Sequence, residues 1–312
     1  MNRLSVCLLG KFSARRDDRE LAGLDTTKIQ HLFCYLLLYR MRPHPREALA
    51  TLLWGNSPTS QSKKYLRQAL WQLQSALNAG TDSLEDYILV IEADWIGINP
   101  KADLSLDVAA FEQNFAAVEG VPSREMDEQG AQAIINAAQL YRGDLMEGCY
   151  EEWCLYERER LQNMYIAMLD KLMSYCEVRK QYETGLQYGS RILWYDSARE
   201  HAHRKLMRLR YLAGDRTGAL RQYERCVKAL EEELGVKPAK KTVALYEQIR
   251  ADHLYDPPQT ATKVNVDDEP AAAESMPEVL GRLKKISAAL TNLQQQIKKD
   301  IQAVELALKG RR

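Results

Sequence analysis

Ser60-Gln61-Ser62-Lys63-Lys64-Tyr65-Leu66-Arg67-Gln68-Ala69-Leu70-Trp71-Gln72-Leu73-Gln74-Ser75-Ala76-Leu77 is the stretch that decides the fold. Leu66, Leu70, Leu73 and Leu77 recur at spacings of 4, 3 and 4, which predicts a helix with one apolar stripe. Lys63, Lys64, Arg67, Gln68, Trp71 and Gln74 fall off that stripe. The stretch carries three cations and no acid, in a chain with 43 basic and 43 acidic residues. Any solvent-facing amphipathic helix can look like this, so the neighbouring segments have to decide what the polar face is for.

Upstream lies a short apolar helix, Arg46-Glu47-Ala48-Leu49-Ala50-Thr51-Leu52-Leu53-Trp54, broken by Gly55-Asn56-Ser57-Pro58-Thr59. Downstream, after Asn78-Ala79-Gly80, come Tyr87-Ile88-Leu89-Val90-Ile91, a turn at Glu92-Ala93-Asp94, and Trp95-Ile96-Gly97-Ile98. Helix, turn, helix, hairpin is the order of a winged helix-turn-helix. The second helix is then expected in the major groove of double-stranded DNA. Lys and Arg would neutralise phosphates there, and Arg or Gln would bond base edges. Glu92, Ala93, Asp94 and Trp95 would form the wing.

Before these helices, Leu4-Ser5-Val6-Cys7-Leu8-Leu9, Phe12-Ser13-Ala14 and Glu20-Leu21 predict a small antiparallel sheet. Thr26 and Thr27 are candidate N-caps for a helix carrying Ile29, Leu32, Phe33, Leu36 and Leu37, and Pro43-His44-Pro45 stops it. Sheet, three helices and wing together make the OmpR-type layout, assigned to residues 1–100.

From Asp107 to about His253 strand signals vanish and helical patterning takes over. Tyr182-Glu183-Thr184-Gly185-Leu186-Gln187 aligns with Arg216-Thr217-Gly218-Ala219-Leu220-Arg221, and Arg191 with Arg225, at an offset of 34 residues. That is the tetratricopeptide period, with Arg179-Lys180-Gln181 and Ala213-Gly214-Asp215 as matching turns. Residues 101–253 are therefore expected to form a tetratricopeptide-like helical domain with a protein-binding concave face. Pro257, Pro258, Pro270 and Pro277 mark residues 254–277 as a flexible linker. In residues 278–310, Leu283, Ile286, Leu290, Leu293, Ile297, Ile301, Val304 and Leu308 predict a coiled-coil helix that needs a partner, with a second copy as the leading one. The fold class is thus mainly α with a small β component: winged helix-turn-helix, helical repeats and a C-terminal coiled-coil helix.

Composition sets bounds on function. A pI near 7.0 excludes a globally basic binder, so any DNA contact has to come from a local patch. No apolar run reaches the length of a membrane span and no signal peptide precedes the first strand, so a cytoplasmic, nucleoid-associated protein is expected. Six cysteines, Cys7, Cys34, Cys149, Cys154, Cys176 and Cys226, sit among apolar neighbours without a C-x-x-C pair, as buried free thiols would. There is no Ser-His-Asp set, no paired carboxylates and no zinc spacing. No catalytic residue, metal or cofactor is assigned, and the chain is expected not to be an enzyme. Asp107 fits a helix cap or interdomain contact better than a catalytic acid. Tyr141-Arg142-Gly143-Asp144-Leu145 fits a structural turn in which Arg142 and Asp144 bond the backbone or each other. Trp153 and Trp194 fit core aromatics, and His201 and His203 point apart on a helix.

Several blocks resemble one family. They are Leu9-Gly10-Lys11-Phe12, the Arg46–Trp54 helix, Leu66-Arg67-Gln68-Ala69-Leu70, Asp107-Val108-Ala109-Ala110-Phe111-Glu112, and Tyr141-Arg142-Gly143-Asp144-Leu145-Met146-Glu147-Gly148 with Trp153. Glu157-Arg158-Glu159-Arg160-Leu161, Arg199-Glu200-His201-Ala202-His203-Arg204-Lys205-Leu206-Met207 and Glu232-Glu233-Leu234-Gly235-Val236-Lys237-Pro238 complete the set. Over roughly residues 1–253 the chain resembles bacterial activators that join an OmpR-type winged helix to a bacterial transcriptional activator domain, the Streptomyces antibiotic regulatory protein architecture. The resemblance implies sequence-specific binding to promoter DNA, often at direct repeats, and recruitment of RNA polymerase. Where family members carry Arg-Arg or Arg-Lys late in the second helix, this chain has Gln72-Leu73-Gln74-Ser75. Each phosphate contact so lost lowers the salt slope by about 0.9. No G-x-x-x-x-G-K-[ST] motif occurs, so the nucleotide-switch domain of larger members is not expected. Beside an oligomeric activator stand two alternatives: a protein-interaction adaptor with weakened DNA binding, and a ligand sensor.

Overall fold

Residues 3–17, 19–79 and 87–253 are described by the computed structural model. The expected linker and coiled-coil segments, with Leu283, Ile286, Leu290, Leu293, Ile297, Ile301, Val304 and Leu308, lie outside them.

Strand β1 (Leu4–Cys7) buries Leu4 and Val6 and exposes Ser5, the alternation of a half-covered strand. It pairs antiparallel with β2 (Ser13–Arg16), which pairs with β3 (Arg19–Glu20). Helix α1 (Thr27–Leu38) buries all five apolar residues expected of it, while Thr26 stands at the N-cap without a side-chain bond, so it does not cap as expected. A two-residue strand β4 (His44–Pro45) leads into α2 (Arg46–Trp54) and α3 (Thr59–Asn78). The hairpin follows as β5 (Leu89–Ile91) and β6 (Trp95–Ile98), and β6 also pairs with β4 to make a three-stranded sheet. Next comes β7 (Leu104–Leu106), which returns to the first sheet and lies parallel to β1. Three residues are too few to show alternation, so this strand has no local signature.

Helices α4 (Asp107–Val118), α5 (Glu128–Leu140), α6 (Glu152–Val178), α7 (Tyr182–Tyr195), α8 (Glu200–Leu212), α9 (Arg216–Leu234) and α10 (Lys240–Arg250) complete the described chain. The 34-residue period is visible in the backbone. Lys180 (φ +59°) and Gly214 (φ +84°) are both left-handed, 34 residues apart. Each turn closes alike: Lys180 N bonds Glu177 O and Gln181 N bonds Cys176 O, as Gly214 N bonds Tyr211 O and Asp215 N bonds Arg210 O. Gly185 and Ala219, aligned by the same offset, are both buried in helix contacts. At Gly189 an added Cβ would come within 2.5 Å of Leu206 Cδ2 and 2.7 Å of Met173 Cε, so α7 and α8 approach closely there. Trp194 is a correction. It lies off the Gly185–Gly189–Ile192 stripe and is 85% exposed, whereas Trp153 is buried as expected.

One hydrophobic core runs through both segments, from Leu4 through Leu73, Phe111 and Leu169 to Leu209. Polar contacts reinforce the joint. The Asp107 carboxylate accepts the amides of Leu8 (2.8 Å), Leu9 (2.9 Å) and Val108 (2.7 Å). Burial holds this carboxyl above its usual range against the pull of those three bonds. Leu8 and Gly10 exchange backbone bonds with Asp144, Met146 and Glu147, and the Arg158 guanidinium donates to the carbonyls of Leu145, Met146 and Cys149. The Tyr141 hydroxyl, rather than Arg142, bonds Asp144. On α1 and its C-cap, Tyr35 meets the Trp153 ring edge-on at 5.4 Å, Lys28 pairs with Glu151, and the C-cap Tyr39 donates to Glu157. Five cysteines are buried free thiols and Cys7 is half-buried. A hydrogen bond between the Cys149 and Cys154 thiols pulls Cys149 down and pushes Cys154 up. His201 pairs with Asp170, while His203 bonds Ser197 O and Gln222. No helix among the described residues is long and apolar enough to cross a membrane.

Candidate nucleic-acid interface

Leu66, Leu70, Leu73 and Leu77 of α3 are all buried, together with Ser62, Ala69 and Ala76. Burying a leucine of this kind contributes about 1.5–3 kcal/mol, so the inner face of α3 is firmly set. The α2–α3 turn is stitched by the Ser62 hydroxyl, 2.9 Å from Trp54 O and 3.1 Å from Ser57 O. Lys63, Lys64, Arg67, Gln68 and Trp71 are consequently turned outward, with Gln74 half-buried. Trp71 is 68% exposed, a large aromatic presented to solvent on the same face as the cations.

The helix is acid-free but its surroundings are not. Glu47 of α2 reaches across to Lys63, with Oε1 2.5 Å from Nζ, and the ammonium beside it holds the Glu47 carboxyl below the usual range. Lys64 and Arg67 meet no acid among the described residues. The helix thus offers two free cations and one already partnered.

At the hairpin, Glu92, Ala93, Asp94 and Trp95 are all exposed, closed by the Glu92 N–Trp95 O bond of 2.9 Å. Its tip is fastened to the first residue of α2. The Arg46 amide donates to Asp94 O at 2.9 Å, and its guanidinium lies 3.2 Å from Ala93 O and 3.5 Å from Glu92 O. Trp95 lines a cleft of about 340 Å³ together with Met41, Pro43, Val90 and Ile98 and the charged Arg40, Arg42 and Glu92. Beneath, His44 donates to Tyr39 O at 3.1 Å, and burial holds its imidazole below the ordinary value.

All ten candidate contact residues therefore lie on α3 and the hairpin as the sequence placed them, with none buried. The sequence reading missed Arg46 and Glu47. Their partners lie 46–47 and 16 residues away, a separation that carries no local signal.

Comparison with known proteins adds four likenesses. Residues 106–250 match the family model of the bacterial transcriptional activator domain. The chain is 24% identical over 231 residues to the regulatory protein AfsR of Streptomyces coelicolor, covering 74% of this chain and 22% of AfsR. It is 26% identical over 243 residues to the transcriptional regulatory protein MoaR1 of Mycobacterium tuberculosis, covering 72% of this chain and 73% of MoaR1. Among solved structures, Mycobacterium tuberculosis EmbR in complex with a low-affinity phosphopeptide superposes with a TM-score of 0.62 at 20% identity, covering 82% of this chain and 67% of that one. That likeness concerns the fold. The chain spans about a fifth of the length of AfsR.

Proposed function

We propose that this chain, whose residues 106–250 match the family model of the bacterial transcriptional activator domain, is a DNA-binding transcriptional regulator, acting as an activator in the cytoplasm at the nucleoid. Residues 1–100 serve as an OmpR-type winged helix-turn-helix, with α3 in the major groove and the β5–β6 hairpin as wing. The helices beyond serve as a tetratricopeptide-like surface that engages the transcription machinery, RNA polymerase included. The observation that carries this reading is the outward face of α3, where Lys64, Arg67, Gln68 and Trp71 stand free while four leucines anchor the helix from behind. Two cations on one helix are few, so binding is expected to be modest for a single copy. Self-association through the leucine–isoleucine stripe of residues 283–308, proposed from the sequence pattern alone, would raise the effective concentration. Leu290→Lys with Leu293→Lys is then expected to lower the sedimentation mass.

The test is charge reversal at Lys63, Lys64 and Arg67, read by gel shift on genomic promoter fragments and by circular dichroism. Loss of the specific shift with an unchanged spectrum is the expected result. A wild-type shift that survives the reversal would favour the adaptor, which the acidic hairpin tip (Glu92, Asp94) and the Gln72 and Gln74 positions also suit.

A further inference from the structure

Two consecutive residues at the start of α2 hold both elements of the proposed interface. Arg46 bonds the three tip carbonyls of the hairpin, and Glu47 bonds the Lys63 ammonium near the start of α3. Neither contact is required by the core. Arg46 is half-buried and Glu47 exposed, and the leucines of α2 and α3 already fasten the helices together. What the pair fixes is the disposition of two surface features. The hairpin tip carries Glu92 and Asp94, and the Arg46 guanidinium is the cation bonded to it.

We propose that Arg46 and Glu47 are positioning residues for DNA: Arg46 seats the hairpin tip, and Glu47 holds the Lys63 ammonium until a backbone phosphate takes the carboxylate's place. This rests on the DNA-binding reading above. On docking, one ammonium–carboxylate contact breaks, one ammonium–phosphate contact forms, and the freed carboxylate returns to water. Because Glu47 is solvated, the exchange is a competition between two hydrated anions for one cation. The phosphate wins where the potential of the duplex is strong. Lys63 then adds little to net ion release, because a partner is lost as another is gained, whereas Lys64 and Arg67 each add a full contact.

The test uses the full-length chain and a short labelled duplex, with binding followed by fluorescence anisotropy across a salt series. Glu47→Gln frees Lys63. The expected slope of log K against log salt is steeper by up to about 0.9, which makes the variant about 8-fold tighter than wild type near 0.1 M salt and equal to it near 1 M. Lys63→Gln supplies the background that separates positioning from general electrostatics. If Glu47 acts through Lys63, adding Glu47→Gln to Lys63→Gln gives no gain. A gain of equal size in both backgrounds would mean Glu47 merely repels DNA, and no gain in either would mean it restrains nothing; each result overturns the proposal. For Arg46, Arg46→Ala should erase the hairpin's share of a hydroxyl-radical footprint and leave that of α3, with Arg46→Lys restoring part of it. A footprint unchanged by Arg46→Ala overturns that half. Wild-type protein that shows no salt-dependent binding sinks the DNA reading itself, a result distinct from wild-type binding with a failed cycle.

Discussion

Replacing Asp107 with alanine should loosen the joint between β1 and α4 while leaving the α3 face intact. The carboxylate is the acceptor for the amides of Leu8 and Leu9, both nearly fully buried, and for Val108 in the first turn of α4. A buried amide left without an acceptor costs about 1–3 kcal/mol. Val108 is fully buried as well, so three amides lose their acceptor, a gross loss of about 3–9 kcal/mol. An opposing effect trims this figure. Burial holds the Asp107 carboxyl above its ordinary range, so the charge carries a desolvation penalty that alanine removes. The net destabilisation should therefore fall at the lower end, about 3–4 kcal/mol, or roughly 6–16 °C in Tm for a unit of this size. Asp107→Asn keeps one acceptor oxygen but turns an NH2 toward an amide, so it should fall between wild type and alanine. Urea and thermal melts followed by circular dichroism at neutral pH would measure both. An alanine variant within about 0.5 kcal/mol of wild type would mean that water replaces the carboxylate freely, and the account of the joint would fail.

Other expectations are simpler to read out. Lys180 holds a left-handed backbone (φ +59°) at the turn position where the next repeat has Gly214, so Lys180→Gly should stabilise by about 0.5–1 kcal/mol in a urea melt. Gly189→Ala puts a methyl against Leu206 and Met173 and should destabilise by about 1–3 kcal/mol, with α7 and α8 forced apart. His44 titrates below its usual 6.5 because burial disfavours the imidazolium, so the unfolded chain binds the extra proton more readily. Stability tied to His44 is therefore complete above pH 6.5 and drains away as the pH falls below it. His44→Gln should flatten that acid limb in melts at successive pH values, leaving the part due to His201, which burial also holds down.

The elements that were legible in the sequence are those whose signal is local. The leucine spacing of α3, the five apolar residues of α1 and the hairpin around Glu92-Ala93-Asp94 each declare themselves within a few residues. The 34-residue repeat also did, because matching turns need matching residues, Lys180 excepted. What escaped depends on distant partners. Strands β4 and β7 have two and three residues, and only their pairing with β6 and β1 makes them strands. Trp194 misled because an aromatic in an apolar run reads as core, and one step around a helix decides otherwise. Thr26 has the geometry of a cap without the bond. Arg46 and Glu47 look like ordinary helix-start charges until the fold brings the hairpin and α3 alongside.

The ring contact between Tyr35 and Trp153 has a directional consequence. Helix α1 packs against α3 on one side and, through that contact, against α6 on the other, within a single core. Among the described residues, nothing between the two halves works as a tether. A monomer docked through α3 would hold its repeats at one compass bearing about the duplex, like a vane bolted to its post. Two monomers on tandem sites spaced by one helical turn, about 34–36 Å, would point the same way. Adding half a turn between the sites would swing the second vane to the far side of the duplex, so promoter output should rise and fall with the periodicity of B-DNA as spacer length is varied.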